Sequence, residues 1–321
     1  MDLVDRIFSI KSTDDFEKVA LIVYDYQVAN NSIYGEFVSR LNWKRPTRTS
    51  EIPFLPISFF KSHSIQTGAF TPEITFMSSG TGGSRSRHLV KDLTVYERSF
   101  SQIYSNSIGP PEDQVILALL PNYLEQGASS LVYMVDQLIK QSENSLSGFV
   151  LGEVDQVINR YSQAKNTGNQ VVIIGVSYAL LDLCELKPDL SEAIILETGG
   201  MKGRRKELTK EELHSELSLG LNCQSIYSEY GMTELLSQAY STSDGIFTPC
   251  PWMKLHLREV TDPFTAVSSG KTGGINIIDL ANLHSCAFIA TDDLGKFTDS
   301  GFQLMGRFDQ SDIRGCNQLI Q

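Results

Sequence analysis

Short apolar runs alternate with amphipathic helical patterns through the middle of this chain, and this alternation constrains the fold more than any other feature. The runs are residues 115–120, 171–174, 193–196 and 224–227, and the helical patterns are residues 92–105, 127–140, 153–164 and 209–217. Strands that alternate with helices of this length form parallel sheets, because each helix carries the chain back to the same end of the sheet. The sequence therefore predicts an α/β core built around a largely parallel sheet.

The residues before this core predict one further helix and one further strand. An amphipathic helix is predicted over residues 14–41, with Thr13 or Asp14 as its N-cap. A short strand over residues 74–77 leads into a loop rich in serine and glycine. We expect the N-terminal helix to pack on the α/β core.

The last part of the chain predicts a different architecture. After residue 245 the helical period fades, and short apolar runs at 274–280 and 286–290 lie between Gly, Asp and Asn turn residues. We therefore predict two domains. Residues 1–245 form an α/β core with an N-terminal helical segment, and residues 246–321 form a small, mainly β lobe.

The charge balance argues against several kinds of partner. The 321 residues include 27 Lys and Arg against 38 Asp and Glu, a net charge of −11, which disfavours binding to nucleic acid and to anionic lipid. The most apolar stretch, residues 171–183, is too short to span a membrane, and the N-terminus lacks the features of a secretion signal. We expect a cytoplasmic protein with no nucleic-acid partner and no membrane span, and the sequence leaves its oligomeric state open.

The cysteines and histidines form no metal-binding pattern. Five cysteines lie at wide spacings without a Cys-x-x-Cys pair, and the five histidines form no His-x-x-x-His pair. We therefore predict free thiols and no metal ion held by protein side chains alone.

The sharpest local feature is a loop rich in serine, threonine and glycine that follows the predicted strand at 74–77. Consecutive small residues let backbone N–H groups converge on an anion while hydroxyl groups donate further hydrogen bonds, which suits phosphate oxygens. The spacing is neither that of a Walker loop nor that of a dinucleotide fingerprint, and a flexible linker is the alternative interpretation. The loop consists of Ser78, Ser79, Gly80, Thr81, Gly82 and Gly83.

This loop resembles the phosphate loop of the adenylate-forming enzymes, the superfamily of acyl-CoA synthetases, nonribosomal adenylation domains and luciferases. Four further segments resemble that superfamily's motifs in the same order, and together they span residues 78–309. They are Gly199-Gly200, Tyr230-Gly231-Met232-Thr233-Glu234, Thr291-Asp292-Asp293-Leu294 and Gly306-Arg307-Phe308-Asp309. The resemblance implies an adenylate-forming fold and a chain that uses ATP and Mg²⁺.

The resemblance also implies roles for these residues. Ser78, Ser79 and Thr81 would hold the ATP phosphates together with the loop amides of Gly80, Gly82 and Gly83. Where the superfamily loop carries Thr, Pro and Lys, this chain has Gly82, Arg85 and Ser86. We therefore expect Arg85 or Arg87 to replace the loop lysine.

Further roles concern the nucleoside and the metal. Gly199 and Gly200 would lie beside the adenine together with Tyr230, Gly231 and Thr233, whereas Asp293 and Arg307 would bind the ribose. Glu234 would be the catalytic Mg²⁺ ligand, because a carboxylate is a hard oxygen ligand of the kind that Mg²⁺ prefers. His88 would orient the carboxylate or a phosphate of the acyl-adenylate.

A narrower resemblance is to the LuxE-like acyl-protein synthetases, components of the bacterial bioluminescence fatty-acid reductase. The strings that carry it are SRH (86–88), ETGGMKGRR (197–205), EYGMTELLSQAY (229–240) and SDIRGCN (311–317). It implies that a fatty acid is activated, transferred to Cys316 and passed to an acyl-CoA reductase-like partner, with Arg314 lowering the pKa of the thiol. It also implies that the usual C-terminal domain, with its catalytic lysine, is lacking.

Two alternatives stay open from the sequence. One is a nucleotide-binding subunit of an acyl reductase complex, without catalysis of its own. The other is a serine hydrolase, because Gly175-x-Ser177-x-Ala179 between a strand and a helix has the form of a nucleophile elbow, with His256 or His284 as its base. Acyl chain length and the final acyl acceptor are not fixed by the sequence.

Overall fold

The computed structural model describes residues 2–78, 84–120, 128–150, 155–199, 208–224, 226–268 and 270–308. Its α-helices are α1 (Leu3–Phe8), α2 (Thr13–Asn30), α3 (Ser32–Arg40), α4 (Phe59–Ser62), α5 (Leu93–Ser107), α6 (Ser130–Ser142), α7 (Asp155–Thr167), α8 (Ser177–Cys184) and α9 (Lys210–Leu221). Its strands are β1 (Leu55–Pro56), β2 (Ile74–Met77), β3 (Arg87–Val90), β4 (Gln114–Leu119), β5 (Gly148–Phe149), β6 (Gln170–Val176), β7 (Ile194–Thr198), β8 (Ile226–Tyr230), β9 (Ala239–Ser241), β10 (Ile246–Pro249), β11 (Met253–Arg258), β12 (Gly273–Asp279), β13 (Phe288–Phe297) and β14 (Phe302–Arg307).

The chain divides into two compact units. Unit 1 comprises Met1–Ala69 and Pro251–Gln321, and unit 2 comprises Phe70–Cys250. This division differs from the predicted domains, which assigned the N-terminal helices to the α/β core. The buried amide of Gln27 on α2 donates to the carbonyl oxygens of Asn282 and Leu283, at 2.9 and 3.0 Å. It also accepts from the N–H of Ala287 at 2.9 Å, so the helices belong with the C-terminal strands.

Unit 2 is built on a sheet with the strand order β10-β9-β8-β7-β6-β4-β5. The strands from β5 to β8 pair in parallel, whereas β8–β9 and β9–β10 pair antiparallel. Every residue of β4 is buried, as expected of a parallel strand that is covered on both faces. The predicted α/β core is therefore confirmed, with β2 and β3 forming a separate antiparallel hairpin in the same unit.

Unit 1 contains the antiparallel sheet β11-β12-β13-β14, and β1 pairs in parallel with β13. These strands confirm the mainly β character that the sequence predicts for the C-terminal part. The predicted helix over 14–41 is two helices, with Ser12 rather than Thr13 or Asp14 as the first N-cap. The second helix begins after Asn31, whose side chain accepts from the N–H of Tyr34 at 3.0 Å and thereby ends one helix and caps the next.

Two expectations from the composition concern membrane-spanning helices and the state of the cysteines. None of the described helices combines the length and apolar character that crossing a membrane requires. Within the described ranges Cys184, Cys223, Cys250 and Cys286 are not joined to one another in disulfide bonds. Cys316 lies outside them.

Candidate functional site

The carboxyl ends of β6, β7 and β8 lie side by side in unit 2. The register pairs Val176 with Thr198, and Thr198 with Glu229. Ligands of open parallel sheets bind beyond the carboxyl ends of the strands. The residues at these three ends and just beyond them are therefore the candidate site of unit 2.

A buried carboxylate joins these strand ends. Glu197 on β7, 1% exposed, accepts from the hydroxyl of Ser177 at 2.8 Å and from that of Ser228 at 3.0 Å. The ammonium group of Lys210, at the start of α9, donates to the same carboxylate at 2.5 Å. A buried charge is tolerated when it is both paired and hydrogen-bonded, and Glu197 meets both conditions.

This arrangement argues against the serine hydrolase alternative. A hydrolase nucleophile exposes its hydroxyl and gives its proton to a histidine, whereas Ser177 is 2% exposed and donates to Glu197. His214 lies 3.0 Å from the hydroxyl of Ser228 rather than beside Ser177. Because Ser228 donates to Glu197, the Nε2 atom of His214 is the donor in that bond.

A second carboxylate lies at the end of β8. Glu229 accepts from the hydroxyl of Thr198 at 2.6 Å, and its other oxygen lies where a side chain on Gly231 would begin. A Cβ atom at Gly231 would be only 2.2 Å from it, so glycine is required there unless the carboxylate moves. Burial, together with the nearby charge of Glu197, raises the pKa of Glu229 to about 7, although the hydrogen bond from Thr198 and the charge of Lys210 oppose the shift.

The pKa of Glu229 predicts a specific pH dependence. The folded chain releases this proton near pH 7 and the unfolded chain near 4.5, so the folded state holds more protons between these values. The contribution of Glu229 to the free energy of unfolding therefore falls as pH rises from about 4.5 to about 7. Glu229→Gln keeps an acceptor for Thr198 and cannot ionise, so across this window the variant should gain stability relative to the unsubstituted chain.

The measurement is urea unfolding of both chains at several pH values across the window. The charged or titratable groups whose fields couple to Glu229 are Glu197, Lys210, Tyr96 and Tyr240, and they are the same in both chains. Burial lowers the pKa of His88 and of His256 to about 4, so these histidines make the free energy of unfolding rise with pH. Both are present in the two chains, so their contributions cancel when the two free energies are subtracted. Glu216→Gln, on the exposed face of α9, is the matched control. If the difference in free energy of unfolding between Glu229→Gln and the unsubstituted chain did not change with pH, the raised pKa of Glu229 would be contradicted.

The turn after β8 contains the predicted metal ligand and is held by a buried histidine. The Nδ1 atom of His88 on β3 donates to the carbonyl oxygen of Thr233 at 2.7 Å, next to Glu234, which is 6% exposed. Burial lowers the pKa of His88 to about 4, so this ring is neutral at pH 7. The structure thus gives His88 a contact that positions the turn, and its predicted contact with an acyl-adenylate stays a prediction.

Three other predicted residues of unit 2 lie at the end of a strand or directly after one. Ser78 follows β2, and its hydroxyl accepts from the N–H of Ser86 at 3.0 Å, which closes the base of the loop. Gly199 follows β7 with a φ of +45°, in the left-handed region. Tyr230 ends β8, buried, with its ring 6.0 Å from that of Phe247. Predicted residues outside the described ranges are Ser79, Gly80, Thr81, Gly82, Gly83 and Gly200.

The predicted ribose ligands belong to unit 1. Asp293 and Arg307 are directly paired across β13 and β14, and the Arg307 Nε atom lies 3.0 Å from a carboxylate oxygen of Asp293. Arg258 supports this strand, because its guanidinium donates to the carbonyl oxygen of Thr291 at 2.6 Å. The same guanidinium lies over the ring of Phe308, 5.6 Å from its centre.

Several polar residues of these elements were not among those predicted from the sequence. Glu229 directly precedes the Tyr230-Gly231 pair. A charged residue at the end of a predicted strand could therefore have identified it as a candidate site residue. Lys210 and Arg258 carry no local signal, since their partners lie 13 and 33 residues away in the chain.

No protein-family model matches the chain, and no curated protein matches its sequence. Solved structures do match in fold. A 2-hydroxyisobutyryl-CoA ligase in complex with 2-HIB-AMP and CoA aligns over 94% of this chain and 72% of its own, with a TM-score of 0.68 and 10% identity. An ATP-bound RpMatB-BxBclM chimera aligns over 75% of this chain and 49% of its own, with a TM-score of 0.56 and 16% identity. MatB from Rhodopseudomonas palustris, in its apo form, aligns over 76% of this chain and 50% of its own (TM-score 0.52, 16% identity).

These similarities confirm the predicted fold class. The chain shares a mixed α/β fold with these structures. At identities of 10–16% the likeness concerns the fold, and the chain spans only about half the length of the chimera.

Proposed function

We propose that this chain activates a carboxylic acid by adenylation, consuming ATP and releasing pyrophosphate. The observation that carries the proposal is the location of the Tyr230-Gly231-Met232-Thr233-Glu234 segment. It resembles the Y-G-x-T-E motif of adenylate-forming enzymes, and it begins at the last residue of β8, at the carboxyl end of the parallel strands. Ligand binding is expected at that end.

The aligned structures support the same chemistry. The 2-hydroxyisobutyryl-CoA ligase was solved with 2-HIB-AMP and CoA, and the chimera was solved with ATP. We infer that this chain forms an acyl-adenylate in the corresponding part of its fold. ATP is a substrate in this scheme, because its adenylyl group is transferred to the acid.

The proposed reaction has two steps. In the first, a carboxylate oxygen forms a bond to the α-phosphorus of ATP while the bond from that phosphorus to the pyrophosphate oxygen breaks. In the second, a thiol sulfur forms a bond to the acyl carbon, AMP leaves with the bridging oxygen, and the thiol proton passes to solvent. The covalent intermediate splits one difficult transfer into two easier ones.

The residues of this chain fit a Mg²⁺ ion that takes most of its ligands from phosphate and water. Mg²⁺ is commonly bound by only one or two carboxylates together with substrate phosphates, and Glu234 supplies one such carboxylate in a largely buried turn. The ion would neutralise negative charge on the phosphates. His88 would keep this turn in place through Thr233, and Ser78 would present the phosphate loop, while Asp293 and Arg307 would bind the ribose.

Three finer points of the proposal rest on the resemblance to the LuxE-like acyl-protein synthetases. The acid is a fatty acid, the acyl group is carried on Cys316, and an acyl-CoA reductase-like protein takes it from there in the cytoplasm. Cys316 lies outside the described residues, so it requires a chemical test.

Cys316→Ser should abolish formation of a hydroxylamine-labile acyl-protein while leaving adenylation active, because adenylation precedes capture by the thiol. The assay incubates the chain with ATP, Mg²⁺ and a radiolabelled fatty acid and measures label in the precipitated protein before and after hydroxylamine. Cys184→Ser is the matched control and should label normally. Undiminished labelling of Cys316→Ser would place the acyl carrier on another residue.

Adenylation itself is tested by ATP–pyrophosphate exchange with short, long-chain and aromatic acids. Exchange that requires an added acid supports the proposal and identifies the preferred substrate. Nucleotide binding without exchange, with or without the reductase partner, would favour the alternative of a nucleotide-binding subunit.

A further inference from the structure

Unit 1 contains a cavity that none of the motif residues explains. Its volume is about 220 Å³. Its walls come from β11, from the segment before β1, from the loop that joins β11 to β12, and from one residue each of β12 and β13. The cavity is thus large enough for a single-ring organic molecule.

Aromatic rings form much of the wall. Trp43, Phe54, Phe264 and Phe297 all line the cavity, and the rings of Trp43 and Phe264 lie 5.2 Å apart at an angle of 35°. Phe264 is 50% exposed and Phe297 is 45% exposed, although exposing large apolar rings to water is unfavourable. These flat surfaces match a planar apolar ligand.

The charged groups of the wall have one sign. Arg258 and Lys271 line the cavity, and among the described residues that line it there is no carboxylate. This is informative in a chain whose net charge is −11. The guanidinium of Arg258 is held by neutral acceptors, the side-chain oxygen of Asn276 at 2.8 Å and the carbonyl oxygen of Ile275 at 2.9 Å. The lining therefore carries positive charge, although the carboxylates of Asp292 and Asp293 lie near enough to interact with Arg258, so Lys271 is the cation of the wall that is left for a bound anion.

The loop that carries Phe264 is folded by its own hydrogen bonds. The N–H of Val267 donates to the carbonyl oxygen of Leu257 at 3.0 Å, and the N–H of Glu259 donates to that of Thr265 at 2.8 Å. The carboxylate of Asp262 accepts from the N–H of Phe264 at 3.0 Å and from the hydroxyl of Thr265 at 2.6 Å. This carboxylate is engaged within the loop, and the aromatic wall is preformed, which lowers the cost of ordering it on binding.

We infer that this cavity binds a small organic anion with a planar apolar body, an aryl carboxylate. The ring of the ligand packs against Trp43 and Phe264, and its carboxylate lies near the ammonium group of Lys271. This site is separate in its residues from the motifs on which the proposed adenylation rests. Binding in this cavity can therefore be tested independently of adenylation.

The test is calorimetric titration of the full chain with benzoate, supported by the fluorescence of Trp43, which contacts the cavity. Benzoate should bind, the neutral analogue benzamide should bind about tenfold more weakly, and the cation benzylammonium should not bind. Lys271→Gln should weaken benzoate binding by about tenfold, and Phe264→Ala should weaken it as well. Both side chains are exposed, so neither substitution should disturb folding.

Lys11→Gln is the matched control, because it removes one exposed charge from the same unit without touching the cavity. It should bind benzoate as the unsubstituted chain does. Absence of binding up to about 10 mM would overturn the inference. So would benzoate binding that Lys271→Gln and Phe264→Ala both leave unchanged, since the acid would then occupy another site. ATP–pyrophosphate exchange is measured separately, so failure of one proposal is distinguishable from failure of the other.

Discussion

Glu234→Gln is expected to lower acid-dependent ATP–pyrophosphate exchange by a factor of about 100 to 1,000, the usual effect of removing one preorganised electrostatic group. The substitution preserves the shape of the side chain and removes its negative charge, so the turn after β8 keeps its packing while the proposed Mg²⁺ ligand is weakened. Raising the Mg²⁺ concentration should restore part of the exchange, because a weaker ligand needs more metal for the same occupancy.

Glu216→Gln is the control for this prediction. It removes one negative charge from the same unit at an exposed position on α9, and it should leave exchange unchanged. Circular dichroism of both variants checks that they are folded. Full exchange by folded Glu234→Gln at every Mg²⁺ concentration would exclude Glu234 as the metal ligand.

Lys210→Met is expected to have the largest effect on stability, a loss of about 3 kcal/mol or more in the free energy of unfolding. The side chain of Glu197 is 2% exposed and that of Lys210 is 28% exposed, so removing the lysine leaves an uncompensated buried carboxylate. Breaking a buried ion pair in this way typically costs about 3–5 kcal/mol. Urea unfolding measures the loss.

Two further variants separate the ion pair from other effects of losing a lysine. Lys165→Met breaks a pair with Glu192 in which the side chains are 43% and 63% exposed, so it should cost less than about 1 kcal/mol. Adding Glu197→Gln to Lys210→Met should recover part of the loss, because the orphaned charge is then removed. Equal losses for Lys210→Met and Lys165→Met would contradict the account.

The parallel core was predictable because its signal is local. The apolar run at 115–120 became β4, in which every residue is buried, and the run at 171–174 became the centre of β6. Such runs arise because both faces of a parallel strand are covered. The motif after β8 was likewise visible, since its residues are consecutive.

The rest depends on contacts between residues far apart in the chain. Nothing near Gln27 indicates that its amide is bound by residues some 255 positions later, and this contact decides which unit contains the N-terminal helices. Arg258 is a similar case, because its partners Ile275 and Thr291 lie on other strands. The cavity of unit 1 was also unpredictable, since its lining comes from separate segments.

The central claim is that a carboxylate oxygen attacks the α-phosphorus of ATP. It is tested most directly by incubating the chain with ATP, Mg²⁺ and a fatty acid whose carboxylate carries ¹⁸O, with an added thiol as acceptor. One ¹⁸O atom of the acid should then appear in AMP, as measured by mass spectrometry. Label in inorganic phosphate instead would indicate an acyl phosphate formed by attack on the γ-phosphorus, and unlabelled nucleotide in the presence of bound ATP and acid would contradict adenylation altogether.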